Sequence, residues 1–172
     1  MNFLPFENIT YTSNLDEEYA MRRLKQNVEE TNNRGFRIWL FKKNPEKFFE
    51  GIISNKGFTI NRIIYYTAIN PVIVIGKIEK KDDGILIRIK FRLSSFHAMF
   101  ASAWLLFSGF ATAFTLIKYH GAGGPLICFA FFLIGYALAI MPFNIEGKTA
   151  KKALEYVFLA EEIEAEKLFH EI

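Results

Sequence analysis

Two long segments without a charged residue constrain this chain more than any other feature. Residues 96–117 and 123–143 contain no Asp, Glu, Lys or Arg. A helix rises about 1.5 Å per residue, so about 20 residues cross a hydrocarbon core of about 30 Å. A chain of 172 residues has too little polypeptide to cover two such helices on every side. The segments therefore predict two transmembrane helices rather than a buried helix pair.

The charges that flank these segments predict their orientation. The connector, residues 118–122, is long enough only for a tight turn, so we expect an antiparallel hairpin with both chain ends on one side of the membrane. Basic residues precede the first apolar segment and follow the second: Arg88, Lys90, Arg92, Lys148, Lys151 and Lys152. The connector contains only Lys118. Because basic loops stay in the cytoplasm, we expect a multi-pass membrane protein with both termini cytoplasmic.

The first apolar segment contains a stripe of small residues at four-residue spacing. Its members are Ser108, Gly109, Thr112 and Ala113. Small residues let two helices approach closely in lipid. The stripe predicts either packing against the second helix of the hairpin or a seam between copies of the chain, which makes a homo-oligomer one expected partner besides the lipid bilayer.

Residues 35–94 alternate between apolar and polar side chains and predict an antiparallel β-meander of about five strands. The expected strands are 36–40, 48–54, 58–65, 72–80 and 85–92. The last is clearest, since Ile85, Ile87, Ile89 and Phe91 alternate with polar and basic residues. Arg62 lies on the apolar side of its strand, so it is expected to need a partner or a position at the rim.

Two helices are expected beside the meander. One runs over residues 15–28 with Asn14 as its cap. The other is amphipathic and runs from Thr149 to about His170, with an apolar side that covers the sheet and an acidic side. The acidic side contains Glu155, Glu162 and Glu166. The expected organisation is an N-terminal helical segment (1–34), a cytoplasmic sheet (35–94), a transmembrane hairpin (95–144) and a C-terminal helix (145–172). The expected fold class is an α+β membrane protein.

Enzyme chemistry has little support in the sequence. His97, His120 and His170 are far apart, two of the three Asp residues belong to one turn, and no zinc, phosphate-loop or nucleophile-elbow motif is present. We therefore expect no catalytic, cofactor or metal site. A net charge of +3 is too small to argue for nucleic-acid binding.

The basic residues beside the hairpin have two interpretations, which are compatible. Each contributes about 1 kcal/mol of attraction to an anionic leaflet, so the residues together would hold the domain on the membrane. They also match the ordinary bias that orients any hairpin. The acidic stretch of residues 161–171 is typical of a solvated helix face, with docking of a basic partner as the alternative.

A set of short motifs carries a resemblance to a known family. The motifs are Phe49-x-Gly51, Gly57-Phe58-x-Ile60-x-Arg62, Tyr66 with Asn70-Pro71, and Gly76-x-Ile78. With the hairpin and the closing helix, residues 48–168 resemble an uncharacterised family of small bacterial membrane proteins with a pleckstrin-homology-like cytoplasmic β domain. The resemblance implies strands closed by a C-terminal helix. It also implies a location in the bacterial inner (plasma) membrane, but no reaction and no catalytic residues.

Three functions are compatible with these patterns. The first is a non-enzymatic membrane protein whose cytoplasmic domain binds a protein partner or anionic lipid headgroups. The second is a ligand- or partner-gated effector that oligomerises through its hairpin and permeabilises the membrane. The third is an immunity protein or an accessory subunit of a membrane complex.

Overall fold

The computed structural model of the protein describes residues 4–30, 47–54, 57–64, 71–81, 84–118, 123–159 and 161–163, and the chain they form is an α+β protein. The elements in chain order are β1 (Phe6–Ser13), α1 (Glu17–Asn27), β2 (Val28–Glu30), β3 (Phe49–Ser54), β4 (Gly57–Arg62), β5 (Val72–Lys81), β6 (Gly84–Leu93), α2 (Ser95–Lys118), α3 (Gly123–Phe158) and β7 (Glu161–Ile163). We call the strands, α1 and residues 143–158 of α3 the sheet domain. We call α2 and residues 123–142 of α3 the hairpin.

The strands form one mixed sheet in the order β2-β3-β4-β5-β6-β1-β7. Strands β3 to β6 are the predicted meander and pair antiparallel. The sheet as a whole is not an antiparallel meander of about five strands, because β2 pairs parallel with β3 and β1 pairs with β6. The three-residue β7 extends the edge beside β1. The strand expected over residues 36–40 lies outside the described residues.

Strand β1 was not predicted, and its sequence explains why. Only Ile9 and Tyr11 provide buried apolar side chains on its inner face, so its alternation is short. The next residue on that face is Ser13, which is polar and buried. Its hydroxyl is satisfied there by donating a 2.7 Å hydrogen bond to the carbonyl of Phe158. Residues 1–34, expected as a helical segment, thus contain strands at both sides of α1.

One face of the sheet, which we call the inner face, carries the core. Ile87, Ile89 and Phe91 of β6 alternate toward this face, where Leu154 and Val157 of α3 are also fully buried. A fully buried aliphatic or aromatic side chain contributes about 1.5–3 kcal/mol, so this layer supplies most of the stability of the sheet domain.

Gly76 makes room for one aromatic contact in this core. A Cβ atom at Gly76 would lie 2.0 Å from Cζ of Phe58, which is directly opposite on β4. The Phe58 ring stacks on Phe158 of α3 with centroids 5.9 Å apart. Because Gly76 has no side chain, the Phe58 ring can lie over it and contact Phe158 of α3 at the centre of the sheet.

Helix α1 begins at Glu17, later than the sequence pattern predicts. Its N-cap is Asp16 rather than Asn14, since the Asp16 carboxylate accepts a hydrogen bond from the Glu18 amide at 3.3 Å. Ala20 and Leu24 are fully buried and attach the helix to the core.

Helix α3 runs without interruption for 36 residues from the apolar segment into the sheet domain. The sequence pattern predicted two separate helices, the second from Thr149 to about His170. That prediction is wrong at both ends. Residues 144–148 stay helical, and the helix ends at Phe158, followed by Leu159 with a φ of 47°.

The chain then returns to the sheet rather than continuing as a helix. Residues Glu161–Ile163 pair with β1, so Glu162 lies in a strand and does not share a helix face with Glu155. A three-residue pairing depends on a distant strand, which a local helical period does not reveal. Glu166 lies outside the described residues.

Candidate interaction surface and helical hairpin

Both helices of the hairpin are long and apolar enough to cross a membrane. The most apolar windows of α2 and α3 have mean hydropathies of 1.7 and 2.4, and only 6% and 17% of those windows are buried by the fold. Large side chains such as Phe107 (78% exposed) and Ile117 (82% exposed) point away from the protein. This distribution is the reverse of a soluble core helix.

The two helices meet around Trp104, for which the sequence offered no explanation. The Trp104 ring lies against Gly135 of α3, where a Cβ atom would be 2.0 Å from Cδ1 of the indole. The indole N–H donates a 3.1 Å hydrogen bond to the carbonyl of Phe131. A large side chain on one helix and a missing side chain on the other therefore set the contact between α2 and α3.

The predicted small residues divide between two sides of α2. Ser108 is buried, and Gly109 faces Phe132 of α3, whose ring carbons would lie 3.9 Å from an added Cβ atom. Thr112 is half-buried and Ala113 is exposed. The hydroxyls of Ser108 and Thr112 donate 2.8 Å hydrogen bonds to the carbonyls four residues earlier in α2. Such bonds satisfy the hydroxyls within their own helix.

A buried ion pair lies where α3 leaves its apolar segment. Glu146 is only 4% exposed. Its carboxylate accepts a hydrogen bond from Nε of Arg62 at 2.8 Å and lies 2.8 Å from Nη2 of the same guanidinium. Arg62 is on β4, so the pair joins the sheet to the helix. The sequence predicted either a partner or a position at the rim for Arg62, and the structure shows a partner. The identity of the partner required the fold, because the two residues are 84 positions apart.

The other helix of the hairpin is joined to the sheet almost directly. Ser94 alone separates β6 from α2. The Ser94 amide donates a 2.8 Å hydrogen bond to the carbonyl of Pro71, and its hydroxyl lies 2.8 Å from Nδ1 of His97. His97 therefore contacts a structural serine at the start of α2.

The six basic residues that flank the hairpin in the sequence lie in two groups. Arg88, Lys90 and Arg92 are exposed on the outer face of the sheet, opposite the core. Lys151 projects from α3 on the inner side, where its Nζ lies 2.5 Å from the Glu7 carboxylate. Lys148 and Lys152 are exposed on α3. The sheet thus separates the two groups of basic residues.

The outer face of β5, β6 and β1 has two ends of different character. At the far end, away from α2, the Glu79 carboxylate accepts a 2.9 Å hydrogen bond from Lys77 and forms an ion pair with Arg88 at 3.2 Å. The Lys77 hydrogen bond, aided by the positive charge of Arg88, lowers the pKa of Glu79 below its ordinary value of 4.5. The far end therefore balances much of its own charge.

At the hairpin end of the same face, the basic residues stand among apolar ones. Arg92 is flanked in register by Phe6 of β1 and Ile73 of β5, and Lys90 is flanked by Asn8 and Ile75. Phe6 is 50% exposed. Neither Lys90 nor Arg92 forms an ion pair with another described residue.

The part of the chain that the structure describes contains no group of three or more His, Cys, Asp or Glu side chains that could hold a metal ion. The chain matches no known protein family, no curated protein and no solved structure.

Proposed function

We propose that this chain is a bacterial inner-membrane protein whose hairpin inserts in the bilayer and whose sheet domain acts as a non-catalytic binding module at the cytoplasmic surface. The observation that carries this proposal is the exposure of the hairpin. Phe107 and Phe110 of α2 and Leu126 of α3 are each at least 66% exposed. Contiguous apolar surface of this kind is typical of a membrane or a large interface.

The charges support the proposed orientation. The basic residues lie on the side of the hairpin that carries the sheet domain, and Lys118 is the only basic residue in the described part of the opposite end. Under the positive-inside rule the sheet domain and both termini face the cytoplasm. The sheet with a helix across its inner face also suits the pleckstrin-homology-like fold, which we propose as its class.

The direct connections between hairpin and sheet domain support a module held close to the lipid. Helix α3 continues from the hairpin into the core, β6 leads into α2 through Ser94, and Arg62 holds Glu146 where the helix joins the sheet. A binding surface on this domain is therefore held near the bilayer. Its ligand is an anionic lipid headgroup or a protein partner.

Reporter fusions test the proposal. A reporter active only in the cytoplasm, fused to either terminus, is expected to be active, and the same reporter inserted after Lys118 is expected to be silent. The full-length chain should remain in the membrane pellet after alkaline carbonate washing. An external terminus, or release of the chain by carbonate, would overturn the proposal.

A gated effector that clusters through its hairpin is the competing proposal. It needs small residues on the outer surface of α2, where Ala113 is exposed while Ser108 and Gly109 face α3. If it were correct, induced expression would depolarise cells that carry a membrane-potential dye, and Ala113→Leu, at the exposed position of the stripe, would abolish the effect. We expect no depolarisation. The accessory-subunit proposal predicts instead a partner that co-purifies with the full chain.

A further inference from the structure

The two ends of the outer face differ in how their positive charge is compensated. Lys77 and Arg88 at the far end share the carboxylate of Glu79. Lys90 and Arg92 at the hairpin end have no acidic partner among the described residues. Glu7, the nearest acidic residue along β1, points to the inner face, where it pairs with Lys151. The positive charge of the hairpin end is therefore available to an external anion.

Two acidic residues lie on the outer face in line with Arg92, but at a distance: Glu50 of β3 and, one strand further away, Glu29 of β2. Glu50 of β3 is opposite Asn61 of β4, and β3 is separated from β6 by β4 and β5. Neighbouring strands are about 4.8 Å apart, which places Glu50 about 14 Å from Arg92 across the sheet. At physiological ionic strength the screening length is about 8 Å, so Glu50 does not neutralise the hairpin end.

The hairpin end is also the part of the outer face closest to the proposed bilayer. Arg92 precedes Ser95, the first residue of α2, by three positions. An extended chain advances about 3.3 Å per residue, so the Cα of Arg92 lies within about 10 Å of the start of the helix. The same reasoning gives at most about 17 Å for Lys90 and about 23 Å for Arg88. The headgroup layer is about 5–7 Å thick on each side of the hydrocarbon core, so the long side chain of Arg92 reaches it.

The apolar neighbours of Arg92 fit the same boundary. Phe6 is 50% exposed beside Arg92, and Leu4 and Phe96, at the ends of the adjacent segments, are 57% and 51% exposed. Exposed aromatic and aliphatic side chains beside a basic residue are disfavoured in bulk water. They are common at the interface between headgroups and hydrocarbon.

We propose that the hairpin end of the outer face, with Lys90 and Arg92 as its cations and Phe6 as its apolar contact, binds the phosphate headgroups of anionic phospholipids in the cytoplasmic leaflet. The inference rests on the proposed membrane insertion of the hairpin and specifies what the sheet domain binds. The far end, with Lys77 and Arg88 around Glu79, does not take part. The Arg92 guanidinium makes the main contact, because it is closest to the bilayer and its planar donors suit phosphate oxygens.

Native mass spectrometry of the full chain in detergent tests this inference. The probes are phosphatidylglycerol and phosphatidylcholine, added separately to the wild-type protein and to two double variants. Lys90→Gln/Arg92→Gln removes the charge of the hairpin end. Lys77→Gln/Arg88→Gln makes the same change in net charge on the same face and is the matched control.

The wild-type protein is expected to retain phosphatidylglycerol in preference to phosphatidylcholine. Each basic residue near an anionic lipid surface contributes about 1 kcal/mol, or about fivefold in affinity. Lys90→Gln/Arg92→Gln should therefore weaken phosphatidylglycerol binding about 25-fold, and Arg92→Gln alone should account for the larger share. The control should change binding less than about twofold, because its charges lie beyond the screening length.

Four results would overturn the inference. They are unchanged phosphatidylglycerol binding in Lys90→Gln/Arg92→Gln, equal losses in both double variants, displacement of the lipid by soluble glycerol phosphate, and loss of a co-purifying acidic protein with lipid binding intact. The last would assign the surface to a protein partner. Carbonate washing of the same variants separates this inference from the proposed function, since a chain that stays in the membrane without binding phosphatidylglycerol refutes the inference alone.

Discussion

The sheet domain and the hairpin place large apolar side chains in opposite positions, buried in the first and exposed in the second. Phe91 of β6 is fully buried, whereas Phe110 of α2 is 75% exposed. In the sheet domain, large apolar side chains fill the space between the sheet and α3, and polar side chains face outward. In the hairpin, large apolar side chains face outward, and Ser108, Gly109 and Gly135 lie between the helices.

This difference indicates which force holds each region together. The removal of apolar surface from water stabilises the sheet domain. For a hairpin inserted in lipid, as we propose, that force is absent between the helices, and close approach and hydrogen bonds would hold them together. The Trp104 ring over Gly135 and its N–H bond to Phe131 provide both. The two regions should therefore respond differently to equivalent substitutions.

The largest expected contrast is between Phe91→Ala and Phe110→Ala. Truncation of the fully buried Phe91 should destabilise the sheet domain by about 3–5 kcal/mol, because it leaves a cavity beside Val74, its neighbour on β5. Phe110→Ala should change stability by no more than about 0.5 kcal/mol, since the Phe110 side chain is largely exposed and loses little packing against protein. Urea unfolding of the full chain in detergent, followed by circular dichroism, measures both. Equal losses would mean that Phe110 is buried in a protein interface.

The next contrast compares two ion pairs that contain arginine. Arg62→Ala leaves the buried carboxylate of Glu146 without its main cation and should cost about 3 kcal/mol. The matched change Arg22→Ala breaks the pair with Glu18, whose side chains are 65% and 83% exposed, and should cost about 0.3–0.5 kcal/mol. The same unfolding experiment applies. A cost below about 1 kcal/mol for Arg62→Ala would show that water reaches Glu146.

A third contrast uses two glycines of the hairpin. Gly135→Ala places a methyl group on the Trp104 ring, and the overpacking should exceed the gain in helix propensity, for a net loss of about 1–2 kcal/mol. Gly109→Ala has 3.9 Å of clearance from Phe132 and should be neutral or stabilising. Titration with sodium dodecyl sulfate, followed by helical circular dichroism, compares them. If Trp104 causes the loss, Trp104→Ala should reduce the effect of Gly135→Ala, and additive effects would contradict the contact.

The smallest expected effect concerns the titration of Glu79. Its pKa is lowered mainly by the hydrogen bond from Lys77, with a further contribution from Arg88. The stabilising contribution of this group is therefore present above its ordinary pKa and is lost as the pH falls through the lowered value. Lys77→Met should raise the pKa of Glu79 toward 4.5, as measured by carbon NMR of the side-chain carboxyl group. Lys90→Met is the control and should leave that pKa unchanged, because Lys90 does not contact Glu79.

The elements that could be predicted from the sequence are those whose apolar and polar residues follow a regular pattern within one segment. The two charge-free segments predicted the long helices, and the alternation of Ile85, Ile87, Ile89 and Phe91 predicted β6. The apolar neighbours of Arg62 predicted that it needs a partner or a position at the rim, because an unpaired guanidinium is costly on such a face. Each of these inferences uses residues within one helix or strand.

The parts that could not be predicted depend on residues far apart in the chain. Strand β1 has a short alternation and is stabilised by β6 and by the bond from Ser13 to Phe158. The apolar segment of the sequence ends shortly before Glu146, and only the fold shows that α3 continues through this residue, with Arg62 beside it. The division of the basic residues between two faces follows from the register of β6 with β5 and β1.

The amino-acid sequence by itself determined where the apolar helices and the meander strands lie, because hydrophobic periodicity acts over neighbouring residues. Only the tertiary structure decided that α3 is one helix, that Trp104 occupies the space over Gly135, and which basic residues have no acidic partner within the described part of the chain. Those outcomes come from pairings across the fold, where the free energy of a side chain depends on what the rest of the chain places beside it.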